Sequence, residues 1–228
     1  MQPPQQPPKS LHELRQRAEQ IAGLTLGDLA NMAALQVPEN FKREKGWSGQ
    51  LLELWLGATA GSKPQQDFPE LGVELKTLPI NAMGAPCETT YVCYAPLLGI
   101  EDTRWETSNV RNKLQQVLWI PVVGDRHIPP AQRTVGSPIF WSPDHSQLAQ
   151  LQADWEELME RISLGEIESV TARTGEFLQL RPKAADGQQL TDAIGKHGRL
   201  IKTRPRGFYL RKAFTQQILN DAFGFENL

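Results

Sequence analysis

Leu11, Leu14, Ala18 and Ile21 recur at three- and four-residue steps, which predicts an amphipathic helix. Ser10-Leu-His-Glu13 precedes them as a capping box. Thr25 and Asp28 mark a second helix start, and Ser48 a third helix that Gly57 stops. In that third helix Leu51, Leu52, Leu54, Trp55 and Leu56 are apolar nearly all round, the pattern of a buried helix, yet Glu53 sits among them. A loop at residues 61–66 leads to Val73, Leu75 and Leu78, which predict a strand with one face in the core. Glu74 and Lys76 then point to the other face. Tyr91–Tyr94 and Leu118–Val123 read as further strands, with a short helix over residues 107–117 between them. Leu148, Leu151, Trp155, Leu158 and Ile162 predict the strongest helix, stopped by Gly165. Glu168–Arg173 and Glu176–Pro182 read as a hairpin across Thr174-Gly175. Strands alternating with helices give an α/β or α+β class.

The chain has 228 residues, 39% of them hydrophobic and 22% charged, which suits a folded protein of one domain, possibly bilobed. Residues 1–9 form a Pro/Gln-rich opening, predicted to be an extended, disordered tail. Lys+Arg 24 against Asp+Glu 26 excludes a uniformly basic nucleic-acid coat, so any polyanion site is a local patch. One candidate is Ala193–Asn220, with Lys196, Arg199, Lys202, Arg204, Arg206, Arg211 and Lys212 and no acid. Such a stretch is a phosphate clamp or a solvated face in equal measure. Cys87 and Cys93 can make neither a disulfide framework nor a four-thiolate zinc site, which points to a reducing cytoplasm. No apolar run reaches membrane-span length, and the opening residues lack the pattern of a signal peptide.

The chemistry concentrates in Asp67-x6-Glu74-x-Lys76, with Glu53 upstream. Mg²⁺ takes oxygen ligands, often one or two carboxylates with waters and substrate phosphate. Asp67 and Glu74 can converge on one ion, with the Leu75 carbonyl as a third oxygen and Glu53 as a further ligand or water-holder. Lys76, one pleat along, would lie beside an attacking water. Acid-x-Lys alternation is also what a solvated strand face shows; the carboxylate of Glu53 in an apolar helix tips the balance towards an active site. Gly57-x3-Gly61-Ser62-Lys63 is too short for a Walker A loop, and His12, His127, His145 and His197 lack metal-ligand spacing.

Asp-x6-Glu-x-Lys is similar to the pattern of the restriction-endonuclease-like superfamily of Mg²⁺-dependent nucleases. Beyond it, the chain resembles the MutH family in Lys45-Gly-Trp47, Gly57–Lys63, Asp67-Phe68, Leu71–Thr77, Glu88–Cys93, Leu118–Pro121, Gly136–Pro138, Asp154–Met159, Leu180–Lys183 and Gly207–Leu210. The likeness runs from about residue 11 to residue 220. It implies a mixed β-sheet flanked by helices. Two lobes, about 10–125 for catalysis and about 126–228 for DNA reading, would flank a cleft in a single endonuclease domain over residues 10–228. It implies a monomer that nicks the unmethylated strand of hemimethylated GATC, 5′ of the G, in DNA mismatch repair. The implied activator is MutL, downstream of MutS.

Residue by residue, the resemblance assigns catalysis to Glu53, Asp67, Glu74, Lys76 and Lys113, with Asp67, Glu74 and Glu53 as metal ligands. It assigns DNA contacts to Lys45, Tyr91, Arg181, Lys183 and Tyr209. Tyr209 matches the methylation-sensing position, Tyr91 falls where the family usually carries Phe, and Gln66 stands where the wider superfamily often has Pro. Arg181, stiffened by Pro182, offers a bidentate fork suited to guanine. Two rival readings are a GATC enzyme that breaks both strands and a non-catalytic reader of hemimethylated GATC. The intact carboxylate set speaks against the second.

Overall fold

The computed structural model describes residues 1–224 apart from 40, 42–45, 62, 126, 172 and 184–187. The fold is a mixed α+β one, of small sheets with flanking helices. It divides into two compact units that alternate along the chain. The first is Met1–Glu88 and Gln115–Ser142 with the chain from Ile218 onward; the second is Thr89–Leu114 and Pro143–Gln217. The chain thus crosses between units several times, where the sequence reading drew one boundary near residue 125.

In the first unit, α1 (Leu11–Ile21) is capped by the Ser10 hydroxyl, and α2 (Leu26–Met32) by a full Thr25/Asp28 capping box. Helix α3 (Trp47–Leu56) starts two residues earlier than a Ser48 cap would place it, with Gly46 as its cap, and stops at Gly57. Gly57 has φ 79°, the left-handed conformation that ends helices without a Cβ penalty. Strands β1 (Glu74–Ile80) and β3 (Val117–Val123) pair in parallel, and β4 (Ile139–Trp141) joins β3 antiparallel. The buried core gathers Leu14, Leu29, Leu52 and Trp55 from the helices against Val73, Leu75, Leu118 and Ile120 from the sheet.

Two expectations change here. Leu78 is fully buried but shares the parity of Glu74 and Lys76, so β1 is covered on both faces. Helix α3 is not apolar all round in its surroundings. Leu51, Leu52, Trp55 and Leu56 make one buried stripe, Leu54 is 41% exposed, and Glu53 is partly exposed beside it. Glu53 therefore has partial access to solvent.

The Pro/Gln opening is extended but not loose. Pro8 is buried, and Arg17 Nη1 donates to the carbonyls of Gln6 at 3.0 Å and Leu56 at 2.9 Å. The expected disordered tail is thus tied to α1 and the end of α3, because the Arg17 guanidinium of α1 donates to one carbonyl of the tail and one of α3. Arg17 also pairs with Glu13 at 2.6 Å. The Lys9 backbone N–H and then Arg17 hold the Glu13 carboxyl below its usual range. Its contribution is complete at neutral pH and fades only as pH falls below the ordinary glutamate value. Arg17→Ala is expected to release residues 1–8, read as faster cleavage there in limited proteolysis; an unchanged digest would refute this tether.

The second unit has a sheet ordered β2 (Thr90–Tyr94), β8 (Arg206–Leu210), β5 (Leu178–Pro182), all antiparallel. A hairpin of β6 (Thr191–Ile194) and β7 (Leu200–Thr203) lies in the same unit, with α4 (Asn109–Leu114) and α5 (His145–Ser163). Helix α6 (Lys212–Phe223) follows β8. The expected hairpin across Thr174-Gly175 does not form: residues 167–169 are a short 3₁₀ turn, and β5 pairs with β8 instead. The cause is Asp154 on α5. Its carboxylate accepts the backbone N–H groups of Glu176 at 2.9 Å, Phe177 at 2.6 Å and Leu178 at 2.8 Å, which pins the start of β5 to the helix.

Candidate nuclease site and base-reading face

Asp67 and Glu74 are brought together by a tight return of the chain. Phe68 and Val73 pair across a bridge around the 3₁₀ turn Pro69–Leu71, so residue 67 lies alongside the start of β1. The Leu75 N–H then donates to Asp67 Oδ2 at 2.8 Å, which fixes one carboxylate oxygen beside the strand. The Asp67 carbonyl accepts from the Thr59 N–H at 3.0 Å, joining the turn to the segment after α3.

Glu74 is 2% exposed, and Lys76 Nζ meets its Oε1 at 2.7 Å. Register places Glu74 opposite Val117 and Lys76 opposite Trp119, both buried. The solvated-face alternative therefore fails: these charged groups stand on a covered sheet face. A buried ion pair contributes little net stability, because desolvation offsets the Coulomb attraction. Groups retained at such a cost are candidates for chemistry.

The donor set suits a hard divalent cation: two carboxylates and a neighbouring backbone carbonyl, all oxygen. Among the described residues no three His, Cys, Asp or Glu side chains stand close enough together to hold an ion. Glu53, on α3, thus does not form one such group with Asp67 and Glu74. Lys113 lies on α4, in the second unit. Lys45 lies outside the described residues.

The second unit brings the expected reading residues onto one sheet face. On β8 and β5, Leu178, Leu180, Phe208 and Leu210 point into the core, leaving Arg181, Gly207 and Tyr209 on the opposite side. Strand β2 carries a bulge between Tyr91 and Cys93. Tyr91 pairs with Tyr209 and Tyr94 with Gly207, so the extra residue puts both tyrosines on the side that regular alternation would split.

Tyr91 and Tyr209 meet edge to face, with centroids 5.3 Å apart at 64°. Lys183 Nζ stands 4.2 Å from the Tyr91 centroid, and the Arg181 guanidinium 5.8 Å from that of Tyr209. Arg181 Nη1 also donates to Thr89 Oγ1 at 2.7 Å. Burial, with smaller contributions from Cys93, Tyr94 and Tyr209, pushes the Tyr91 phenol well above the ordinary tyrosine range, so it remains a neutral hydroxyl. Tyr94, 61% exposed and edge-on to Tyr91, is the residue that sequence reasoning missed. A bulge leaves no mark in a five-residue strand pattern.

The basic stretch does not act as one surface. Lys202 pairs with Asp192 at 2.8 Å, Arg206 with Glu168 at 3.5 Å, and Arg211 donates to the Thr174 carbonyl at 3.1 Å. Among its other cations, Lys196, Arg199, Arg204 and Lys212 are exposed.

Comparison with known proteins bears on these features. A family profile described as "DNA mismatch repair enzyme MutH" matches residues 56–154, a span that includes Asp67, Glu74 and Lys76. The DNA mismatch repair protein MutH of Escherichia coli O139:H28 (strain E24377A / ETEC) is 59% identical over 213 residues, covering 93% of each chain. The protein of the same name from Shigella dysenteriae serotype 1 (strain Sd197) matches to the same extent. A buried Asp/Glu/Lys group in one unit, an aromatic and cationic sheet face in the other and this degree of identity agree: the chain belongs to the MutH family of DNA mismatch repair enzymes.

Proposed function

We propose that this protein is a Mg²⁺-dependent endonuclease of DNA mismatch repair that nicks the unmethylated strand of hemimethylated GATC, 5′ of the G. The observation that carries the reading is the Lys76–Glu74 pair at 2.7 Å on a buried strand face, beside an Asp67 carboxylate oriented by the Leu75 N–H.

Asp67 and Glu74 would hold the metal, with the Leu75 carbonyl as a third oxygen. When bound, such an ion polarises a phosphoryl oxygen and lowers the pKa of coordinated water. The Lys76 ammonium, held in place by Glu74, orients the attacking water and offsets charge that builds on the phosphate oxygens. Glu53 holds water from the α3 side, and Lys113 adds a further positive charge towards the phosphate. Arg181 reads guanine through its fork, Lys45 and Lys183 contact the DNA backbone, and Tyr209 with Tyr91 reads the adenine that carries or lacks an N6-methyl. A single Asp67/Glu74/Lys76 group among the described residues suits a monomer that cuts one strand per encounter. Family membership supports activation by MutL, downstream of MutS, and a cytoplasmic setting. Among the described residues no helix is long and apolar enough to cross a membrane.

The test is a hemimethylated GATC duplex incubated with the purified protein and MutL, with Mg²⁺ or with EDTA. A single nick in the unmethylated strand that EDTA abolishes is expected. Equal cutting of both strands of fully methylated DNA would support a restriction enzyme, and tight binding without cleavage a reader. Tyr209→Ala is expected to lower discrimination against fully methylated sites about tenfold or more, since one base contact carries about 1–3 kcal/mol. Parent-like discrimination would remove Tyr209 from the sensing role.

A further inference from the structure

Gly207 occupies the centre of the reading face. It lies on β8, the middle strand, opposite Tyr94 on β2 and Arg181 on β5. Its φ is not positive, so the backbone there would accept any residue. A strand-interior glycine that is not needed for its backbone freedom marks a close approach instead. Here the approaching group is a ring. A methyl at residue 207 would stand 2.9 Å from Tyr91 Cε2, 3.3 Å from Tyr91 Cδ2 and 3.2 Å from Tyr209 Cε2.

The Tyr91 ring cannot yield to such a methyl without consequence. It is bounded by Tyr209 at 5.3 Å, by Tyr94 at 5.8 Å and by Lys183 Nζ at 4.2 Å. A methyl under it would lift Tyr91, and the edge-to-face contact would carry the displacement to Tyr209.

We propose that Gly207 is a positioning residue for methylation sensing: its bare backbone seats the Tyr91 ring, and the seated ring sets the place of Tyr209. This rests on the reading of Tyr209 as the methylation sensor.

Gly207→Ala introduces no backbone strain, so the variant is expected to fold, with a parent-like far-UV CD spectrum. Its ratio of nicking on hemimethylated over fully methylated GATC is expected to fall about tenfold, the effect of one misplaced base contact. In a Tyr91→Ala background the same substitution is expected to change that ratio by less than about twofold, because the closest contact, at 2.9 Å, is gone and the Tyr209 ring, at 3.2 Å, has the space that Tyr91 leaves. A general structural role for Gly207 would lower the ratio equally in both backgrounds and would overturn the proposal. So would parent-like discrimination by Gly207→Ala while Tyr209→Ala loses it, a result that leaves the sensing reading intact. If Tyr209→Ala itself discriminates as the parent does, the sensing reading fails and the proposal falls with it.

Discussion

Asp67→Ala is expected to reduce metal-dependent nicking by at least about a thousandfold. Loss of a metal-binding carboxylate removes several kcal/mol of transition-state stabilisation, and each 1.36 kcal/mol is a factor of ten. The substitution has a second effect, because Asp67 Oδ2 accepts the buried Leu75 N–H at 2.8 Å. Alanine leaves that donor unpaired, so a loss of activity could come from a disturbed strand. Asp67→Asn separates the two. Its amide oxygen still accepts from Leu75, while the negative charge is gone. Near-parental thermal stability with activity still down by about a thousandfold is the expected pair of results. Nicking within tenfold of the parent would show that Asp67 is a structural cap of β1 and no ligand. The measurement is single-turnover nicking at saturating Mg²⁺, alongside thermal unfolding of each variant.

Asp154→Ala is expected to be the most damaging change for the fold. Its carboxylate is 3% exposed and accepts the backbone N–H groups of Glu176, Phe177 and Leu178 together with Gln150 Nε2 at 2.9 Å. Truncation strands these donors at the start of a buried strand, at about 1–3 kcal/mol for each one left unpaired. A total near about 4 kcal/mol corresponds to a melting temperature lower by about 8–16 °C for a chain of this size. Asp154→Asn keeps one acceptor oxygen and is expected to lose about half as much. Because β5 carries Arg181, the destabilised variant should also bind DNA less tightly. A shift below about 3 °C for the alanine variant, by CD melting, would show that the β5 strand start is held by its ladder with β8 alone.

The sequence foretold the elements whose partners are local or whose faces are clean. Helix α5 reads from its stripe because Leu151, Trp155, Leu158 and Ile162 all turn inward. The α2 capping box reads from Thr25 and Asp28 because its hydrogen bonds span three residues. The Asp67/Glu74/Lys76 group reads from spacing because one short turn brings Asp67 beside β1.

What stayed hidden was set by distant partners. Leu78 is buried on the same side as Glu74, which no two-residue alternation reveals. The expected hairpin lost to a carboxylate more than twenty residues upstream, although one signal was present: Asp154 occupies a core position of the stripe between Leu151 and Trp155, where an acid needs a cluster of donors. The tail read as disordered from composition alone, since nothing in Pro and Gln residues announces that Arg17 will bind the Gln6 carbonyl. Glu53 read as buried because neighbours in sequence were taken for neighbours in space.

The alternation of the two units along the chain bears on synthesis at the ribosome. Translation delivers Asp67, Glu74 and Lys76 early, yet β3, the strand that backs them, emerges only after β2 and α4 of the other unit have been made. A nascent chain halted before residue 117 thus carries Asp67, Glu74 and Lys76 without the strand that β1 pairs with.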